Sequence, residues 1–451
     1  MKVAIIGAGP AGLFAAYKLT NYADVTIIDK GRDINHRKCP SPGNCKGTCR
    51  PCNILCGIGG AGLHSDGKII FSNKVGNNLD DIVGEEKNLK LIAEVQRIFS
   101  EYDVHVQDLS KAEERKVTQL KKQARMVGGD FLYSPQAHVG TDKLINLMKM
   151  FKKNLEVRGV EFLNKRNVKT ITENEVITNK GKVHYDKLII GPGRVGASWL
   201  EEVSDKLGID YSYNAIDIGV RVEVPREVTD DITNVVRDMK FYLRSDTYND
   251  MIRTFCTCPG GKVTRETHED FNLVNGHSDS DDSSPNTNFA FLVTMPLTAP
   301  LSNTNTYGQG VADLAYVTGV KKPILQRLGD LRRGRRSNVN KKCEFLIQPT
   351  LEDVVYGDIG LALPYRLLND VMEGLKKLDK IIPGVANDET LLYAPEIKFH
   401  GLKIITDEYL KTNKDNIYVA GDGAGLSRGI CGAACCGVLA AEGIIKRDKK
   451  K

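Results

Sequence analysis

Residues Lys2 to Gly12 read Lys-Val-Ala-Ile-Ile-Gly-Ala-Gly-Pro-Ala-Gly. The short apolar run suits a buried parallel strand, and the three glycines behind it lead into a helix over Gly12 to Leu19. Spaced GxGxxG between strand and helix, each glycine has a job. Gly7 allows the tight turn, Gly9 lets the backbone approach a pyrophosphate, and Gly12 lets helix and strand pack closely. The helix start, including Ala11, presents free N–H groups and a positive dipole end to phosphates. Asp24 to Ile28 is a second strand, which completes a βαβ unit of about 30 residues. Asp29 ends it, 17 residues after Gly12, placed to accept hydrogen bonds from an adenosine ribose, with Lys30 beside it.

The far end of the chain separates FAD from NAD. Ile417 to Gly425 reads as an apolar strand running into an acidic residue in a glycine loop, and Ile430 to Ala441 reads as a helix. In FAD enzymes such an element brings its acid, here Asp422, to the ribityl chain, and the next helix start, Gly429-Ile430, points at the flavin ring. A third glycine string, Gly191-Pro192-Gly193-Arg194-Val195-Gly196, follows the apolar run Leu188 to Ile190. It spells GxGxxG too, and a separate NAD(P)H domain is one reading. The preferred reading is a small-residue turn that returns the chain to FAD, preceded by a hairpin over Val168 to Ile190. Val168 and Gly193 are then cofactor contacts, and NAD(P)H is a transient electron donor.

A chain of 451 residues exceeds one simple core. The fold class is α/β: a Rossmann-like FAD-binding domain with an inserted α+β substrate domain. Residues 1–214 form the first part of the FAD domain, with a Cys-rich loop at 38–57 and a helical insert at about 78–130. Residues 215–386 are the β-rich substrate domain, and 387–451 complete the FAD domain. Helical pattern runs from Asn78 to about Glu114 and from Lys143 to Phe151, the latter with Thr141 or Asp142 as N-cap. Asn275 to Asn288 is polar and turn-rich, and is read as a surface loop. Nothing approaches the roughly 20-residue apolar run of a membrane span, and the N-terminus carries no secretory pattern, so the expected place is the cytoplasm. The formal charge of +6 is mild. The basic run Arg332 to Arg336 is read as a solvated face, which makes nucleic acid an unlikely partner.

Five of the 11 cysteines fall between Cys39 and Cys56, spaced C-x5-C-x3-C-x2-C-x3-C. Prolines and glycines make this an irregular loop able to wrap a centre. Four thiolates suit Zn or an iron–sulfur cluster, and a redox dithiol, a disulfide or free thiols remain open. Arg37, Lys38, Lys46 and Arg50 favour thiolates. Cys256 and Cys258 are read as one core thiol and one pocket thiol. Cys431, Cys435 and Cys436 are read as small packing residues in a helix.

The chain resembles the uncharacterised FAD-dependent dehydrogenases, often labelled NAD(P)/FAD-dependent oxidoreductases, which share the glutathione-reductase-like FAD fold with the geranylgeranyl reductases. The carriers are "VAIIGAGPAGLFAA", "CGIGGAGLHSDGK", "HVGTDKL", "TFCTCPGGKV" with "NLVNGHS", "LQRLGD" and "GDGAGLSRGICGAA". The family has Phe where this chain has His64, and Glu where it has Asp422. The resemblance implies that Gly60, Ala61, Ser65 and Lys68 lie near the flavin, which makes His64 and Asp66 candidate proton donors. It implies Cys39, Cys45, Cys49 and Cys52 as a ligand set, and so a ferredoxin or another electron carrier as a partner beside a small-molecule substrate. It supplies no substrate. A C=C reductase is one analogy, and a flavin-dependent tRNA-modifying enzyme or a non-enzymatic scaffold are the rival readings.

Overall fold

The computed structural model describes residues 1–40, 49–64, 67–106, 108–267, 271–278, 284–338, 340, 345–399 and 402–449. In chain order the elements used below are β1 (Lys2–Ile6), α1 (Pro10–Leu19), β2 (Asp24–Asp29), β3 (Lys187–Ile190), β4 (Ile216–Pro225), β5 (Phe241–Arg244), β6 (Met251–Pro259), β7 (Lys262–Thr267), β8 (Asn272–His277), β9 (Asn286–Met295), α2 (Thr304–Thr318), α3 (Tyr365–Asp379), β10 (Leu391–Lys398), β11 (Ile417–Val419) and α4 (Ile430–Asp448). The chain divides into two compact units. One holds residues 1–108, 134–214 and 401–451, and the other holds 109–133 and 215–400.

The first unit is built on a parallel sheet ordered β11-β3-β1-β2, with Glu161–Asn164 at the β2 edge. Its strands are continuous apolar runs because both faces are covered. Val3 to Ile5 and Leu188 to Ile190 are each 1% exposed or less. α1 begins with Pro10 at its first position, where the missing N–H costs nothing. α4 is rich in Ala, Gly and Cys, and nearly every residue from Cys431 to Ile444 is buried. Those small side chains let α4 lie directly on α1: a Cβ at Gly437 would be driven into the Ala11 carbonyl. Burial pushes the Cys436 thiol up to about 12, and a hydrogen bond with Cys431 together with burial pushes Cys435 well up. Both are inert packing groups, as expected.

The second unit is built on an eight-stranded sheet in which β10, β4, β9, β6 and β5 are consecutive and antiparallel. β4 alternates by side chain. Ile216, Ile218, Val220, Val222 and Val224 join one apolar core with α2 and α3, while Asp217, Arg221 and Glu223 take the other face. β7 and β8 form a hairpin that packs over part of that second face.

Five readings are corrected. The substrate-domain boundary lies at 400, not 386, because β10 pairs with β4 along its length. Residues 109–133 belong to the second unit, because the helix Lys111–Met126 buries Val117, Leu120 and Ala124 in its core and Asp130–Phe131 pairs with β5. The single helical pattern from Asn78 resolves into Asp80–Val83, Glu85–Ser100 and Lys111–Met126. The helix read at Lys143 begins at Thr141 with Gly140 as its cap residue. The loop read at Asn275 to Asn288 is narrower, since β8 runs to His277 and β9 starts at Asn286.

The two CxC thiols do separate, Cys256 exposed and Cys258 buried. Residues two apart on a regular strand share a face. Here the register with β9 shifts between Phe255 and Cys258, and Cys256 has a φ of 51°, so a bulge breaks the alternation.

Candidate functional site

The candidate site is the carboxyl edge of the parallel sheet, where β1, β3 and β11 each release a glycine loop. Gly7 has a φ of 103°, and its N–H donates to the Ile28 carbonyl at 2.8 Å. A Cβ at Gly12 would be driven into the Gly7 carbonyl, so helix and loop meet at the distance only glycine permits. At Gly9 a Cβ would meet nothing nearer than the Gly60 Cα at 3.7 Å. That is ordinary contact distance, so Gly9 lies directly against the Gly60 loop.

Asp29 holds the loop from beside it. Its carboxylate accepts from Ala8 N at 2.8 Å and from Gly31 N at 2.7 Å. Each oxygen keeps a further lone pair for a hydroxyl. The loop before Leu63 closes the other side: Gly59 N donates to the Ala8 carbonyl at 2.8 Å. A Cβ at Gly60 would come 3.0 Å from the Gly9 Cα, and one at Gly62 would come 2.9 Å from the Ile430 side chain. The starts of α1 and α4 thus border one loop. Both helices have glycine at the N-cap, Gly9 and Gly429, and neither has a side-chain cap. Two helix starts with free N–H groups on one loop form a cradle for anions.

β3 lies beside β1 in the same sheet, and Gly191 N donates to the Ile6 carbonyl at 2.8 Å. The third glycine string therefore continues the first site and does not open a second dinucleotide domain. Gly193 borders open space with a φ of 67°. Asp422 follows β11, and its carboxylate accepts from Arg194 Nη2 at 3.1 Å and Nε at 3.3 Å. Arg194 is a residue the sequence reading passed over, although its position inside the glycine string was a signal.

The other expected residues are placed as follows. Ala11 is buried in α1 and Val168 in the core of the first unit. Lys30 and Lys68 are half-buried, and Ala61 is exposed. His64 ends the turn Ala61–His64, and its Nε2 is buried with no hydrogen-bond partner among the described residues. Burial, with the charge of Arg37 adding to it, lowers its pKa and keeps it neutral at pH 7. Ser65 and Asp66 lie outside the described residues.

The buried Arg37 guanidinium donates to the carbonyls of Asn53 at 3.0 Å, Ile54 at 2.5 Å and Ile58 at 2.7 Å. It therefore organises the end of the Cys-rich segment. Cys56 N donates to the Cys52 carbonyl at 3.0 Å, one helical turn. Burial raises the Cys56 thiol. Cys45 lies outside the described residues, and among those described no three His, Cys, Asp or Glu residues gather as metal ligands. Cys39, Cys49 and Cys52, the three described members of the expected ligand set, are not brought together as such a group. The basic run is spent within its own unit: Arg332 and Arg333 pair with Asp388, and Arg335 pairs with Asp330.

The cradle does fit a dinucleotide such as FAD: open space at Gly193, two uncapped helix starts for a diphosphate, and the Asp29 carboxylate at the strand end. Residues 215–398 match the family described as "FAD-dependent protein, C-terminal domain-like", and residues 5–37 match the "NAD(P)-binding Rossmann-like domain". A protein of Clostridium beijerinckii (strain ATCC 51743 / NCIMB 8052), itself called an uncharacterised protein, is 25% identical over 98% of this chain and 80% of its own length. Among solved structures, L-proline dehydrogenase from P. horikoshii is 13% identical, with a TM-score of 0.42 over 99% of this chain and 93% of that one. Glycine oxidase from Geobacillus kaustophilus is 12% identical, with a TM-score of 0.36 over 99% and 94%. Likenesses at that level carry no argument about this chain. Among the described residues no helix is long and apolar enough to cross a membrane.

Proposed function

For a chain whose residues 215–398 match the FAD-dependent protein C-terminal family and whose residues 5–37 match an NAD(P)-binding Rossmann-like domain, we propose that the first unit holds FAD across the loops at Gly7–Gly12, Gly59–Gly62 and Gly421–Gly423. We propose also that the second unit supplies the surface for an organic substrate. The observation that carries this reading is the pair of uncapped helix starts, at Gly9 and Gly429, bordering one glycine loop. Their N–H groups face a diphosphate, Asp29 holds the ribose, and Asp422, kept in place by Arg194, faces the ribityl hydroxyls. His64, neutral with a free Nε2, is the described group in the loop able to hold or release a proton. FAD, when bound, supplies two-electron chemistry.

The test is the cofactor itself. Mass analysis of material released from purified protein should give FAD. Gly9→Val should abolish flavin binding, since a side chain there fills the space a diphosphate needs. Gly193→Val, facing open space, should impair it less. Recovery of FMN alone, or of no flavin after reconstitution, would overturn the reading. If Gly193→Val spared flavin and removed only NAD(P)H oxidation, the third glycine string would be a nicotinamide site after all.

A further inference from the structure

The eight-stranded sheet buries charge on one face only. Opposite the apolar residues of β4 that pack on α2 and α3, the face carrying Asp217, Arg221 and Glu223 is polar. Its Glu223 end is closed. The Glu223 carboxylate accepts from Tyr393 Oη, Thr350 Oγ1 and Asn286 Nδ2, and the β7–β8 hairpin lies there, with Gly276 so close that a Cβ would be driven into Arg221. The Asp217 end differs. Tyr242, Arg253, Phe255 and Lys398 are half-buried, and the side chains of Arg253 and Lys398 are 13% and 14% exposed.

The charges at that end do not balance among themselves. Arg253 pairs with Asp217, which also accepts from Thr294 Oγ1. Glu396, wholly buried, serves both Lys398 at 3.0 Å and Arg221 at 3.3 Å. Among the described residues, three cations therefore share these two carboxylates. Burying charge without a counter-charge is costly, so the arrangement calls for one more anion. The Arg253 guanidinium lies 4.8 Å over the Phe255 ring and bonds to Tyr242. Arg253, one of the two cations with residual exposure, thus sits beside aromatic surface. Cys258 Sγ, 3.4 Å from Arg221, is the competing source of a negative charge.

We propose that this end of the sheet face binds the carboxylate of an organic substrate through Arg253 and Lys398, with Phe255 and Tyr242 against its apolar body. The proposal names the substrate class for the flavin reading above and rests on it. Asp217 and Glu396 are positioning residues: they hold the two cations and leave donors for the ligand.

The test uses the flavin-loaded full chain in a calorimeter, with benzoate and hexanoate as probes and benzamide and hexanamide as neutral counterparts. At least one acid should bind about tenfold tighter than its amide. Lys398→Gln and Arg253→Lys should each weaken that acid by about tenfold while melting as cooperatively as the parent. Equal binding of acid and amide overturns the proposal and assigns the counter-charge to Cys258. So does no binding of either acid below about 10 mM, or unchanged binding in both variants. The acid-against-amide comparison needs no variant to fold. Flavin absorbance of the same sample separates the two readings. Loaded protein that ignores carboxylates removes only this proposal, whereas flavin-free protein that binds them removes only the flavin one.

Discussion

Under the proposed reading Asp29 has two uses at one position. A ribose ligand needs only a carboxylate at the strand end, but this carboxylate also accepts from the N–H groups of Ala8 and Gly31. Those donors have no second partner in the glycine loop to fall back on, and an unsatisfied donor costs about 1–3 kcal/mol. Asp29→Ala should therefore lower the melting temperature of flavin-free protein as well as weaken FAD. Thermal melts of the apo form check this. An unchanged apo melt would reduce Asp29 to a cofactor ligand alone. The Asp422 carboxylate would have a comparable double use under the same reading, since Arg194 already holds it at 3.1 Å.

At the scale of elements, the contact of α4 on α1 decides whether two helix starts can share one loop. Gly437 lies against the Ala11 carbonyl with no space for a Cβ. Gly437→Val would force the helices apart, at a cost of about 1–3 kcal/mol or more for overpacking. Because both N-termini move with their helices, flavin occupancy should fall together with the melting temperature. Measuring both on one preparation checks the coupling. A destabilised variant that keeps full flavin would show that the helix starts are set by the loop and not by the helix contact. Within the other unit, Arg221 plays the tying role across strands. It bonds to Asn288 at 2.8 Å and the Cys256 carbonyl at 2.7 Å, and pairs with Glu396.

At the scale of the molecule, stability should depend on pH through a buried carboxyl pair in the second unit. Asp250 accepts from Arg366 at 2.6 and 2.7 Å. Asp370, wholly buried on α3, is pushed up to about 6 by burial first and then by the neighbouring Asp250. A raised value means that the folded state holds the proton more tightly than the unfolded state. The contribution is full below the usual Asp value of 3.8 and is lost as pH rises through about 6. Asp370→Asn, which keeps the shape without the charge, should melt higher than the parent at pH 8, by on the order of 1 kcal/mol. The gain should shrink at pH 4. A pH-independent difference would assign the effect to packing.

How much of this was legible in the sequence follows from how local each feature is. The β1–α1–β2 unit, the glycine spacing, Asp29 and the β11–α4 element were readable, because spacing along a strand or helix dictates which face a residue takes. The alternation of β4 was equally visible in Ile216 to Pro225. The tertiary structure alone brought Arg194 to Asp422, 228 positions away, set Gly437 on Ala11, and assigned 109–133 and β10 to the second unit. It also joined Arg253 on β6 and Lys398 on β10 to one face with Asp217. Such contacts depend on which strands become neighbours, and neighbour choice is a property of the whole packed sheet that no local window of sequence contains.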